Sequence, residues 1–190
     1  MGFAKKLASG ERTFTQCGTP DYMAPEVVTS RGHGLAADWW SLGILIWELM
    51  QGAGPFAANS PGMTYAKIMR YKRTITRADE EGGQRSNADE GTITCPRGFS
   101  NAATELIAGL LTVNPTERFG CGADGSAPIR AHPFFASIDW ASLEARQLEA
   151  PYRPAVSSEK DLQYFATDDY SSSDEDEPPF EGDQGMFTEF

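Results

Sequence analysis

Three kinds of side chain in this sequence could do chemistry: thiols, imidazoles, and hydroxyls set in polar or acidic runs. Cys17, Cys95 and Cys121 are far apart, odd in number and without a Cys-x-x-Cys pair. That spacing argues against a disulfide framework and a structural zinc site, and fits a reducing compartment. Cys17 lies in a loop whose basic residues could lower its pKa and give a redox-active thiolate. A small residue kept for packing is the favoured alternative. His33 and His132 each stand alone, so nothing suggests metal ligation. Thr15 lies in a polar loop, where a phosphate adds about −1.5 to −2 charge and can be held by basic side chains. Ser171-Ser172-Ser173 runs into Asp174-Glu175-Asp176-Glu177, an acidic serine cluster typical of a disordered tail and itself a candidate for phosphorylation.

These residues must be positioned by elements that the periodicity makes legible. Residues 1–35 read as loop. Residues 37–52 read as a helix that Asp38 can start and Gly52 can stop. Apolar residues fall on every face of it, so it is expected in the middle of a core. Residues 61–71 suggest an amphipathic helix with Pro61 in its first turn. The polar stretch 73–92, with Gly82-Gly83, reads as a flexible insertion. Ser100 is expected to cap a helix to Leu111, with Ala103, Leu106, Ile107, Leu110 and Leu111 as its apolar stripe. A short helix over 127–135 follows, then another over about 140–149. No internal repeat is visible, and the pattern carries almost no strand signal. The fold class is mainly α.

The charge is uneven. The chain has 190 residues, 16 Lys+Arg, 27 Asp+Glu and a net charge of −11. Eleven of those carboxylates lie between Glu159 and Phe190 beside one Lys, so the acidity belongs to the tail. Neither part has the basic field that phosphate-backbone binding needs, so nucleic acid is not an expected partner. The opening residues do not form a secretory signal, and the longest apolar stretch, 35–50, is interrupted and too short to span a bilayer. A soluble cytoplasmic or nuclear protein is expected.

A set of motifs in fixed order sharpens this reading. Gly2-Phe3-Ala4-Lys5, Thr13-Phe14-Thr15-Gln16-Cys17-Gly18-Thr19-Pro20-Asp21-Tyr22-Met23-Ala24-Pro25-Glu26 and Asp38-Trp39-Trp40-Ser41-Leu42-Gly43 resemble the second half of a eukaryotic protein kinase. They match its activation loop, its Ala-Pro-Glu element and the central helix of its large lobe. The Cys-Gly-Thr-Pro-x-Tyr form, Arg118-Phe119-Gly120 and the terminal Phe187-Thr188-Glu189-Phe190 resemble the AGC group. Within that group the likeness is to the cyclic-nucleotide-dependent (cAMP- and cGMP-dependent) kinases. The resemblance implies an incomplete, helical large lobe over residues 1–135, interrupted at about 73–92, and an irregular, acidic AGC-type tail over 136–190.

The resemblance also implies roles. Thr15 matches the activation-loop phosphothreonine, and Lys5 one of the residues that grip its phosphate. Thr19 matches a threonine that supports the catalytic groups. Glu26 and Arg118 match a buried ion pair, for which a bidentate Arg–carboxylate geometry is suited. Asp38 matches a carboxylate that accepts hydrogen bonds from the catalytic-loop backbone. Glu48 occupies the position that binds an Arg two residues before the target hydroxyl, and Asp21 the position that meets a more distant Arg. Gln16, Pro20 and Met23 match the pocket for the residue after the target, although the family usually has an apolar residue where Gln16 stands. In the tail, Phe165 and Tyr170 resemble residues that cover the nucleotide pocket, with two extra residues separating them here. Phe187 and Phe190 resemble the hydrophobic motif that docks on the small lobe.

A kinase also needs a Gly-rich loop, an ATP-binding Lys, a catalytic Asp and metal ligands. None of these is identified in the chain, and Met1-Gly2 falls where the last two residues of Asp-Phe-Gly belong. Two expectations follow. One is the C-terminal part of a Ser/Thr kinase using ATP and Mg in the complete enzyme, acting on protein substrates with basic motifs. Such an enzyme would be activated by an upstream kinase and controlled by a regulatory subunit or by cyclic-nucleotide-binding domains in the same chain. The other is a non-catalytic module that binds substrates or a regulatory subunit without the ATP-binding lobe.

Overall fold

The central helix owes its place to aromatic residues spaced to meet different neighbours. In the computed structural model, which describes residues 2–8, 10–72, 74–77, 91–158 and 160–164, this helix is α2 (Ala36–Gln51). Trp40 and Ile44 are wholly buried, four residues apart on one face. Trp40 stacks on Phe56 with ring centroids 5.8 Å apart and meets Tyr71 edge-on at 6.1 Å. Trp47, almost two turns on, packs against Phe99 at 5.2 Å. The helix stops at Gly52, whose φ of 86° suits glycine and whose N–H closes on the Glu48 carbonyl at 2.7 Å.

Two features of α2 differ from the sequence expectation. Leu35, not Asp38, occupies the N-cap position, and no side chain caps this end. The helix begins earlier than expected, so exposed Asp38 lies inside the first turn, where its charge complements the helix dipole. The helix is also not enclosed all round: Leu45 and Leu49 are exposed, although both are apolar.

Two short elements precede α2. A 3-10 turn, Pro20–Tyr22, leads into α1 (Pro25–Val28), and Thr13 pairs with His33 in an isolated antiparallel bridge. After α2, α3 (Pro61–Arg70) starts as expected, with Pro61 inside its first turn and the Ser60 hydroxyl accepting from Met63 N at 3.4 Å. In α4 (Asn101–Leu110), Ser100 accepts from Ala103 N at 3.1 Å, as its sequence position implies. Leu106, Ile107 and Leu110 are wholly buried. Burial of each side chain stabilises the fold by about 1.5–3 kcal/mol. Gly43 is what lets α2 approach α4 this closely: a Cβ there would lie 2.9 Å from atoms of Leu110 and Leu111.

The stretch 73–92 is not simply an insertion without structure. Thr74–Arg77 forms β1 and Thr92–Cys95 forms β2, paired in parallel with Ile75 opposite Ile93. Both strands contain Thr-Ile-Thr, a β-branched triplet that suits extended backbone. Ile93 and Cys95 are buried on one face of β2. Later elements are shorter than expected. The helix of 127–135 is instead α5 (Ala127–Arg130) and a separate 3-10 turn, Pro133–Phe135, since Pro133 cannot supply the N–H that continuation requires. α6 (Trp140–Glu144) ends well before residue 149, and Arg146 has a φ of 58°.

The chain divides into two compact units, Met1–Arg146 and Gln147–Phe190. The first has the mainly helical fold expected from sequence. In the second, the Asp161 carboxylate accepts from the Ser157 N–H and hydroxyl, each at 2.7 Å, and these bonds hold its pKa below the usual carboxylate range. No described helix is long and apolar enough to cross a membrane.

Candidate functional site

Among the described residues, Arg118 is the most constrained charge. It is 1% exposed and lies 92 positions from Glu26, its carboxylate partner, which is also buried. One terminal nitrogen donates to Glu26 Oε1 at 2.7 Å and to the Ala36 carbonyl at 2.6 Å. The other donates to Glu26 Oε2 at 3.0 Å and to the Val113 carbonyl at 3.4 Å. Nε donates to the Thr112 carbonyl at 2.9 Å. A guanidinium has five N–H donors, and each has an acceptor here. Its Cζ also lies over Trp40, 5.3 Å from the ring centroid. One side chain therefore joins α1, the first residue of α2, and the chain leaving α4.

The paired geometry matches the resemblance, and its chemistry is structural. Desolvating two ions is costly, and the bidentate contact with three added carbonyls offsets that cost. A cavity of about 860 Å³ opens beside this pair and is lined partly by Glu26 and Cys121, whose thiol burial pushes up.

Glu48 and Asp21 are held differently. The Pro20–Tyr22 turn touches both α2 and α3, and its two last residues reach in different directions. The Ser41 hydroxyl on α2 donates to the Tyr22 carbonyl at 2.9 Å. The Tyr22 hydroxyl donates to Glu48 Oε2 at 2.5 Å, two turns further along the same helix. That hydrogen bond, reinforced by burial and by the charges of Glu48 and Asp21, raises the Tyr22 pKa. Asp21 Oδ1 accepts from the buried Thr64 hydroxyl of α3 at 3.2 Å. Both carboxylates are half-buried, and neither has a salt-bridge partner among the described residues. Lys67 of α3 donates instead to the Ala57 carbonyl at 2.6 Å. Two fixed, uncompensated carboxylates can receive cationic side chains from outside.

The remaining sequence candidates are dispersed. Thr15, Gln16 and Thr19 are exposed, as is Lys5, and no hydrogen bond joins Lys5 to Thr15. Pro20 is half-buried, whereas Met23 is 7% exposed and packs in the core, so it can support a surface pocket only from beneath. Phe165, Tyr170, Phe187 and Phe190 lie outside the described residues. Tyr22, Ser41 and Thr64 are functional candidates that the sequence reading did not single out. A signal existed for one of them: Ser41 lies seven residues before Glu48, and that spacing places both on one helix face.

The helical fold, the Glu26–Arg118 pair and the ordered activation-segment motifs define one class. The protein kinase domain family matches residues 1–135, and the chain belongs to that family. Its similar relatives are AGC kinases. It is 41% identical over 181 residues to the cGMP-dependent protein kinase egl-4 of Caenorhabditis elegans, covering 95% of this chain and 21% of that protein. The cAMP-dependent protein kinase catalytic subunit PRKX of Mus musculus is 38% identical over 188 residues, covering 99% of this chain and 46% of that protein. Ribosomal protein S6 kinase alpha-4 of Homo sapiens is 40% identical over 169 residues, covering 87% and 20% respectively. The chain thus spans between about a fifth and just under half of these relatives.

Proposed function

We propose that this chain supplies the peptide-docking surface and supporting scaffold of a serine/threonine protein kinase. The whole enzyme transfers the γ-phosphoryl of MgATP to Ser or Thr near basic residues, under cyclic-nucleotide control. The observation that carries this reading is the acidic pair: Glu48 and Asp21 are fixed by neutral hydroxyls, so their charges remain for arginines of a bound peptide. Glu48 takes the Arg two residues before the target and Asp21 a more distant one. Gln16 and Pro20 border the place of the following residue, with Met23 beneath. Thr15 is the activating phosphosite, with Lys5 as a phosphate partner.

ATP and magnesium belong to the complete enzyme. Among the described residues, no three His, Cys, Asp or Glu side chains converge to hold a metal ion. These residues do not fit that group. Since phosphoryl transfer depends on a metal, a Lys and a catalytic Asp, the purified 190-residue chain should show no magnesium-dependent transfer to a basic peptide. Such transfer, surviving removal of contaminating kinases, would assign catalytic groups to these residues.

The docking role is tested by binding. A labelled Ser peptide with Arg two residues before the Ser should bind the chain, and Glu48→Gln should weaken it about tenfold or more, the worth of a charge-assisted hydrogen bond. The same peptide with Ala in place of that Arg should bind wild type and variant alike. Equal losses for both peptides would remove Glu48 from the docking surface.

A further inference from the structure

We propose that Thr64 is a specificity-positioning residue: its hydroxyl sets the Asp21 carboxylate to receive the more distant Arg of a bound peptide. The inference rests on the docking reading above and deepens it. Thr64 is 2% exposed, in the first turns of α3, and its hydroxyl donates from Oγ1 to Asp21 Oδ1 at 3.2 Å. A buried hydroxyl without an acceptor is costly, so the bond to Asp21 is maintained whether or not a peptide is present. It occupies one carboxylate oxygen and leaves Oδ2 to an incoming donor, because a carboxylate accepts at both oxygens.

The arrangement on either side supports the assignment. Lys67, on the next turn of α3, is turned to the Ala57 carbonyl and does not neutralise Asp21. Tyr22, the next residue in the chain, is fixed through Ser41 and Glu48 to α2. The turn carrying Asp21 is therefore tied to α2 on one side, and the Asp21 side chain to α3 on the other. A side chain already held in its binding rotamer loses less conformational freedom when the peptide arrives. The hydroxyl thus acts on recognition through Asp21 and touches no substrate itself.

The test compares two peptides on the 190-residue chain: one with Arg at both the proximal and distal positions, and one with Ala at the distal position. Wild type should prefer the first. Thr64→Val, which keeps the volume and removes the hydroxyl, should lower that preference by about three- to tenfold, with little change for the second peptide. Thr64→Ser should restore it, and it guards against a fold lost in the Val variant. Asp21→Asn should abolish the preference, and adding Thr64→Val to it should change nothing further. If Asp21→Asn abolishes the preference but Thr64→Val leaves it intact, or weakens both peptides equally, Thr64 is not the positioning residue. If Asp21→Asn leaves the preference unchanged, or wild type shows none, the docking reading fails and this inference falls with it.

Discussion

Glu26 and Glu48 sit on helices of the same unit, yet their charges are handled in opposite ways. Glu26 faces an arginine whose five donors are all used, and three of its acceptors are backbone carbonyls. That guanidinium has no donor left for a group from outside. Glu48 faces a tyrosine hydroxyl, which orients one oxygen and leaves the charge uncancelled. Asp21 and the Thr64 hydroxyl repeat the arrangement. A carboxylate closed by a guanidinium holds the fold together, whereas one oriented by a neutral hydroxyl is still available to bind. The partner, more than the carboxylate itself, separates a scaffold residue from a recognition residue.

The largest effect should come from breaking the closed network. Glu26→Gln leaves Arg118 buried without its counter-charge, and should destabilise the first unit by about 3–5 kcal/mol. For a domain of ordinary stability, about 5–15 kcal/mol, that is a large share of the total. Replacing both partners with Met should recover much of the loss, because no buried charge then remains unpaired. Urea unfolding of the two variants checks this. A single variant as stable as wild type would show the pair to be solvated, and would erase the contrast with Glu48. Mutating Glu48, by comparison, should cost binding and leave folding nearly unchanged, which is the sharper half of the same comparison.

How much of this was legible in the sequence depends on the range of the interaction. α3 and α4 could be read because their signals are local: Pro61 in a first turn, and Ser100 before the stripe from Ala103 to Leu111. The two strands were missed because each offers only four residues, set among charged or glycine-rich neighbours that carry no alternation. Asp38 misled as a helix start, since its residue type favours a cap but the chain turns helical at Ala36. The Glu26–Arg118 pair spans 92 positions, and no periodicity could have joined it; only the motif resemblance did. Resemblance in turn named the acidic residues Asp21 and Glu48 but not the hydroxyls that aim them. Thr64 looks like an ordinary residue of an amphipathic helix until its contact with Asp21 is seen.

The smallest expected effect lies in the phenol itself. Tyr22 donates to a charged oxygen, so removing its proton would set a phenolate against Glu48, and its pKa lies above the ordinary 10.0 for that reason first. Burial and the charges of Glu48 and Asp21 act in the same direction. A group whose folded pKa is raised adds stability below its unfolded pKa and loses it as pH climbs through the folded value. The stability advantage of wild type over Tyr22→Phe should therefore be constant through neutral pH and shrink only above about pH 10. Near-ultraviolet absorbance of the phenolate, taken as the difference between wild type and Tyr22→Phe, should show one tyrosine titrating late. Glu48→Gln should bring that titration back toward the ordinary value, because the acceptor keeps its oxygen but loses its charge. If it stays equally late in Glu48→Gln, burial governs Tyr22 and the hydroxyl does not report on the open carboxylate. A late titration that returns on loss of the charge would show that Glu48 keeps its negative charge beside Tyr22, the condition for receiving an arginine.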